Sequence, residues 1–494
     1  MSEAGLRSRV GKQAVIYGLG VVAARALSFV SLPIMTRLLE PADYGVIQLI
    51  QMSFDMLAIL AGARIGAGVY RFYHKVDDVE EKRAILSTAL LFLGASFSAM
   101  ALVAWLSAEH ISVLVFENRA YTSAVRVAAL SFPWTGIMGV TLGYLRLKDK
   151  ALHWVTVGLV KSLIQLVLVV ILLGFYGMGV LGVFVASLVA DVVVGSWLVR
   201  NMLRETGLTF AADAARDLVR FGLPLVVTQL ATFFSTFADR YFLQRSAGES
   251  AVGIYALAYT FGFLLVQVGY LPFSQVWGPL RFEVARRDDP GPTIARAFVL
   301  INVFFLSAAV ALGLFTEDLL RILSPPSYWG AAGLVPIILM AYVFQAWGGF
   351  LNLGIMVSEK TRYVTYADWT GAIIAGIGYL FLIPIYGGLA AAWSTAVAFG
   401  IRTLMIYHFS QRLWYVAYDW APVVRLAALA AITVGIGILL PDLSLVPSIL
   451  VRSGIMAAYG AVVWNAGIIP SDEREMVRGW ARNPRAAIRA YLGR

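Results

Sequence analysis

Cysteine is absent from all 494 residues of the chain. Disulfides, thiolate metal sites and cysteine nucleophiles are therefore excluded. Histidine is scarce, with only His74, His110, His153 and His408, far apart in sequence. No H-E-x-x-H spacing and no Walker glycine-lysine loop occurs, so nothing indicates a zinc hydrolase or an ATPase. Neither a metal nor an organic cofactor is expected. Charge is short as well: 14% of residues are charged, against about 25% in soluble domains. What fills the chain is apolar, 60% of it. The composition is that of an all-α, polytopic integral membrane protein with no large soluble domain.

Stretches of about 20 apolar residues mark candidate spans. They fall near 13–36, 43–65, 84–106, 121–144, 152–174, 178–199, 218–242, 251–273, 294–315, 331–356, 364–385, 388–409, 423–440 and 447–468, fourteen in all. The first apolar run is too long for a signal-peptide core, and a retained helix is expected there. The formal net charge is +10. Its distribution argues against nucleic-acid binding. With the N-terminus inside, 28 of the 39 Lys and Arg fall in or beside cytoplasmic segments and five on the opposite side. This is the positive-inside pattern, with both termini cytoplasmic. Arg25, Arg64, Arg126, Lys161, Arg402 and Arg452 remain within spans. The basic tail, 470–494, reads either as an amphipathic helix on the inner membrane surface or as a solvated topological anchor.

Three landmarks recur at a similar offset. Tyr17-Gly18-Leu19 matches Phe221-Gly222-Leu223, Tyr44-Gly45-Val46 matches Val252-Gly253-Ile254, and Tyr176-Gly177 matches Tyr386-Gly387. They predict a parallel repeat of two six-helix lobes, 1–200 and 218–410, joined by a cytoplasmic linker at 201–217. Two further helices follow within 423–468.

Two segments carry a family resemblance. Thr36-Arg37-Leu38-Leu39-Glu40-Pro41-Ala42-Asp43-Tyr44-Gly45 follows a helix that opens with Gly11-Lys12. Ala238-Asp239-Arg240-Tyr241-Phe242-Leu243 is followed by Val252-Gly253-Ile254-Tyr255. Together these resemble the bacterial polysaccharide flippases over spans 1 to 12. That family belongs with multidrug-extrusion and lipid II flippases to one exporter superfamily. The resemblance implies a two-lobed, V-shaped carrier that moves a lipid-linked oligosaccharide across the inner membrane. Membrane lipids, and a polysaccharide polymerase with its chain-length machinery, are the implied partners.

Polar residues inside spans must face protein or water. In span 2, Tyr44, Gln48, Gln51, Asp55 and Gly62 share one helical face, as a cavity lining or as interhelical glue. Arg25, in the middle of span 1, pairs with Asp55 or meets an anionic ligand. Lys161 and Gln165 lie one turn apart in span 5, at a cavity or with the lysine snorkelling to the interface. Arg64, near three glycines, is a further candidate. Gln229, Thr232, Thr236 and Asp239 form a second stripe in span 7, and Gln345 and Asn352 a third in span 10. Tyr255, Tyr259, Tyr270 and Trp347 offer faces to sugars or pack between helices. The expected cavity is cationic on the first lobe and neutral-polar on the second. Asp55 and Asp191 are candidates for a coupling H+ or Na+, and Pro33 for a hinge.

These features read as a carrier for a polyprenyl-pyrophosphate-linked oligosaccharide working by alternating access. A multidrug or cation antiporter of the same fold and a lipid II flippase are the alternatives. A membrane glycosyltransferase would need a catalytic loop, and the longest gaps between spans, about 20 residues, hold no acidic metal-binding cluster.

Overall fold

The structure is a computed structural model that describes residues 30–62, 64–469, 472–475 and 478. Helix is the dominant element, as the apolar runs require. Among the described residues eleven helices are long and apolar enough to cross a membrane. The chain is a multi-pass membrane protein.

The helical stretch at residues 30–38 (α1) passes through Pro33. It leads to α2 (Pro41–Gly62), α3 (Ile65–Lys75), α4 (Val79–Leu106), α5 (Ala108–Phe116) and α6 (Thr122–Leu147). Then come α7 (Ala151–Val169), ending in a π turn at Val170–Phe175, and α8 (Gly179–Thr206). Next are α9 (Ala212–Phe237), α10 (Asp239–Leu265), a π turn at Val266–Tyr270, and α11 (Leu271–Ala285). The rest comprises α12 (Gly291–Leu314), α13 (Thr316–Leu323), α14 (Val335–Leu351), α15 (Leu353–Val357), α16 (Arg362–Phe381), α17 (Ile383–Leu413), α18 (Trp420–Ile438) and α19 (Leu445–Asn465).

Eleven differs from the fourteen expected for three reasons. Most of the first expected span lies outside the described residues. One helical run, Ala212–Ala285, is 74 residues long and takes in two expected spans. Drawn straight it would reach about 110 Å, against a hydrocarbon core of about 30 Å. It breaks at Gly248, where φ is 78°. Finally, α16 occupies the eleventh expected span but is not among the eleven. The expected linker at 201–217 is mostly helix, with only 207–211 non-helical.

The chain forms two compact units that interleave in sequence. Unit 1 runs up to Leu257 and adds Leu323–Gly330 and Asp368–Ser394. Unit 2 takes Ala258–Ile322, Ala331–Ala367 and the chain from Thr395 on.

In unit 1, α4, α6 and α8 pack around Leu86, Leu90, Phe97, Phe132 and Met202. Asp78 starts α4 by accepting the Glu81 amide at 3.0 Å, which satisfies an orphan donor. Small residues bring the helices close, as membrane packing favours. Phe97 covers Gly136 and Trp134 covers Gly195. Two more ties hold the start of α9: the Thr209 and Ala211 amides donate to Ser87 Oγ and Thr88 Oγ1, each at 2.9 Å.

The repeat landmarks acquire a physical meaning here. Gly45 of α2 and Gly253 of α10 meet backbone to backbone. A Cβ at Gly253 would lie 1.8 Å from the Pro41 carbonyl oxygen, and one at Gly45 2.1 Å from that of Glu249. Gly177 and Gly387 both adopt left-handed φ, 63° and 57°, which a side chain disfavours. Nearby, Thr36 Oγ1 donates to the Leu323 carbonyl at 2.7 Å, and the Tyr328 hydroxyl to that of Leu39 at 3.1 Å. Burial pushes the Tyr328 phenol above its ordinary range, and the field of Tyr44, Asp43 and Glu40 adds to the shift.

Unit 2 is built on aromatic packing. Trp277 and Phe350 stack at 5.1 Å with planes 7° apart, and Phe298 meets Phe350, Tyr418 and Trp420. Arg452 of α19 is buried and pairs with Glu317 and with Asp318, the latter at 3.1 Å. Arg452, left inside a span by hydropathy, is therefore an internal tie.

Candidate functional site

The polar stripe of α2 comes down to a partly open cavity in unit 1 of about 460 Å³. Helices α2, α4, α6 and α9 wall it. Its polar lining includes Asp55, Arg64, Thr135 and Gln229, set among Phe97, Phe233 and Phe237. Gln229, Phe233 and Phe237 are spaced by four, so one face of α9 supplies all three. At Arg64 the α2 helix stops and α3 begins. The residue has φ 54° and ψ 26°, a left-handed conformation rare outside glycine. Residue placement at such a break is set by the surrounding fold rather than by the helix itself. Gly68 is in close contact with Leu218 of α9, whereas Gly66 is open because it borders the cavity.

Asp55 and Arg64 are exposed within this cavity. Neither side chain has a hydrogen-bond or ion-pair partner among the described residues. Gln229 Oε1 is buried and without a donor there. A buried acceptor left unpaired is costly, and it marks a place where a ligand or water donor belongs. The cavity thus offers a cation, an anion and a neutral amide to one occupant. Two residues before Asp55, Ser53 Oγ lies 2.9 Å from the Tyr241 hydroxyl, which ties α2 to the second signature segment.

Other expected site residues are placed elsewhere. Arg25 and the landmark at Tyr17 lie outside the described residues, as does nearly all of the basic tail. Gln48 is half-buried and Gln51 exposed on α2, and neither borders the cavity. Thr232 Oγ1 bonds back to the Thr228 carbonyl at 3.1 Å. Lys161 Nζ is 2.6 Å from Asp191 Oδ1, and Gln165 Nε2 donates to Ser187 Oγ at 2.8 Å. These contacts rivet α7 to α8 and lie away from the cavity lining. Tyr255 and Tyr259 are fully buried. The Tyr255 hydroxyl donates to Asp239 Oδ2 at 2.6 Å, and Tyr259 packs edge-on against Tyr342. Buried phenols need partners, and these are packed inside rather than turned to a sugar. Trp347 likewise donates to Asn302 inside unit 2. Gln345 is half-buried on α14, and Asn352 accepts from Arg281 at 2.9 Å.

Residues 10–284, more than half of the chain, match the model of the polysaccharide biosynthesis protein family. The chain belongs to that family. Its fold is shared with solved structures of a flippase and of transporters. The structure of lipid II flippase MurJ in an inward closed conformation aligns with TM-score 0.75 at 12% identity, over 92% of this chain and 100% of MurJ. A multidrug resistance MATE family transporter in its inward-facing conformation aligns with TM-score 0.62 at 14% identity, over 84% and 96% of the two chains. A MOP superfamily transporter from Pyrococcus furiosus, described as having a binding pocket of reversed polarity, aligns with TM-score 0.57 at 13% identity, over 84% and 96%. At these identities the likeness is one of fold. A comparison with curated proteins returned no match.

Two features of this polysaccharide biosynthesis protein escape a reading of its sequence. Arg240, at the end of the seventh expected span, is 1% exposed and pairs with the fully buried Asp239 at 2.9 Å. Its place directly after the polar stripe of α9 was the available signal. Arg281, in the gap after the eighth expected span, sits half-buried in α11. Trp277 and Arg281, one turn apart, continue a helical period past the hydropathy boundary.

Proposed function

We propose that the protein moves a polyprenyl-pyrophosphate-linked oligosaccharide across the bacterial inner membrane during polysaccharide biosynthesis. The carrying observation is that Arg64, Asp55 and Gln229 share one cavity in a multi-pass member of the polysaccharide biosynthesis family. A headgroup of phosphates and sugars cannot cross hydrocarbon unaided, because each unpaired polar group costs free energy there. An arginine fork meets phosphate oxygens with paired, charge-assisted hydrogen bonds. The Gln229 amide supplies the neutral acceptor that a sugar hydroxyl needs. The lipid tail stays in the bilayer while alternating access exposes the cavity to each side in turn. Asp55, unpaired in the same cavity, is the group proposed to take the coupling H+ or Na+. Both termini face the cytoplasm in this scheme, and the protein acts as a carrier, not an enzyme.

The test is polysaccharide export in a strain whose only copy is Arg64→Ala or Gln229→Ala, with membrane insertion verified. Loss of one charge-assisted contact at the transition between states is expected to cut export by about 10-fold for Arg64→Ala. Export at wild-type levels in both variants rejects the reading. Asp55 also favours a second reading, a cation or multidrug antiporter, since a cationic substrate needs an acid in its cavity. Drug hypersensitivity of the deletion strain, with normal export, would select it.

A further inference from the structure

Three arginines of unit 2 are held by carboxylates. Arg452 pairs with Glu317 and Asp318, Arg321 with Asp442, and Arg296 with Asp472 and Glu473. Arg281 pairs with no carboxylate among the described residues. It is half-buried in α11, four residues before that helix ends, with its guanidinium carbon 5.0 Å from the Phe282 ring centroid. Its Nε is buried without a hydrogen-bond partner there. A guanidinium at such a place is expected to find an anion, because neither hydrocarbon nor an apolar core solvates it.

Its surroundings are arranged for one. Arg281 Nη1 donates to Asn352 Oδ1 at 2.9 Å. Arginine has no acceptor, so the Asn352 oxygen must face it and the Asn352 amide NH2 is directed elsewhere, available to donate. Two glycines just before Asn352 clear space along α14. A Cβ on Gly349 would lie 2.0 Å from the Tyr270 hydroxyl, and one on Gly348 3.0 Å from Arg402 Nη1. Tyr270 lies in the field of both Arg281 and Arg402. It closes the π turn at Val266–Tyr270, and such turns inserted in helices recur at functional sites. The same turn carries Gln267, whose Oε1 is buried without a donor among the described residues.

We infer that Arg281 is an oxyanion-binding residue that takes a phosphate group on the open edge of its guanidinium. Asn352 positions it, and the Tyr270 hydroxyl is a neighbouring donor. The phosphate belongs either to the lipid-linked substrate or to a bilayer phospholipid. Only the first source rests on the transport reading. On this inference the second half carries a cationic contact of its own, where sequence alone predicts a neutral-polar wall.

The full chain in phosphatidylcholine nanodiscs, titrated with undecaprenyl pyrophosphate and with undecaprenol, provides the test. Arg281→Gln is expected to weaken pyrophosphate binding by about 10-fold or more, the order for losing a charge-assisted hydrogen bond. Arg281→Lys keeps the charge without the fork and falls between wild type and Arg281→Gln. It also serves as the readout if the glutamine variant does not fold. Asn352→Ala loosens Arg281 and gives a smaller loss, while undecaprenol binding is unchanged throughout. Repeating the titration with phosphatidylglycerol in the disc separates the sources. If the anionic lipid erases the Arg281 dependence, the phosphate is the bilayer's. If the dependence persists, it is the substrate's. Equal pyrophosphate affinity of wild type, Arg281→Gln and Arg281→Lys in phosphatidylcholine overturns the inference. That failure would leave the export test at Arg64 untouched, because the one reads binding and the other transport.

Discussion

Lys161 and Asp191 each stand 15 residues from Tyr176, on the two helices that this turn joins. Gln165 and Ser187 each stand 11 residues from it. Equal distances from a turn put residues side by side in an antiparallel helix pair, so the ladder between α7 and α8 was legible from spacing. Periodicity alone gives a residue's face on its own helix, not the neighbour that the face meets, and a lysine seen without Asp191 reads as a cavity wall. Asp55 and Gln229 stood out by the polar faces of their helices and Arg64 by the glycines around it, and the three line one cavity. The burial of Tyr255 on Asp239 depends on a tertiary contact that no local pattern announces. A consequence follows for the ion pair. Lys161→Ala is expected to destabilise the purified protein by about 1–2 kcal/mol. This is below the roughly 3–5 kcal/mol for a fully buried pair, because 31% of the lysine side chain is exposed. Lys161→Met combined with Asp191→Leu is expected to recover most of the loss. Denaturation in detergent measures both. A double variant less stable than the single one rejects the structural role.

At the level of helices, the crossing of α2 and α10 turns on two glycines, Gly45 and Gly253, that the sequence sets in similar three-residue landmarks. Their similar settings were visible in the chain; their direct contact was not. Such contact requires two backbones to approach within the volume of a methyl group, which is the general use of small residues between membrane helices. With a Cβ on Gly253 meeting the Pro41 carbonyl oxygen at 1.8 Å, Gly253→Ala cannot be absorbed by a side-chain rotation. The helices must separate. Destabilisation of at least about 3 kcal/mol, the upper range for overpacking, is expected, seen as a lower melting temperature and a lower folded yield. Gly454→Ala in α19 is the control. Nothing lies within 4 Å of its built Cβ, so it should hold or gain up to about 1 kcal/mol from helix propensity. Equal behaviour of the two variants would mean the crossing is not tight in the membrane. The same scale explains why α11 was missed. Pro272, Ser274 and Gln275 lower the hydropathy at its start, yet proline in a first turn is compatible with a helix, and the helix continues to Ala285.

Across the whole molecule, the positions of most apolar helices follow from hydropathy, and the interleaving of the two units does not. Hydropathy is a property of each segment, whereas the units are defined by contacts between segments far apart in sequence, such as Tyr328 with Leu39. Orientation lies between these cases. It rests on charge, and the bias of 28 to five is too large for one misplaced residue to reverse. A single missed span would invert everything after it, so the sensitive place to test is late in the chain. The missing cysteine makes this direct, because each introduced thiol is the only one. Asp288 lies in the exposed turn between α11 and α12, and Ser444 at the exposed start of α19. With both termini cytoplasmic, Asp288→Cys faces the cytoplasm and Ser444→Cys the opposite side. A membrane-impermeant maleimide added to intact inner-membrane spheroplasts is expected to label Ser444→Cys at once, and Asp288→Cys only after permeabilisation. The reverse pattern would invert the topology. Labelling of both from outside would place an odd number of unrecognised crossings between residues 288 and 444, and would move Arg281 towards the other face of the membrane.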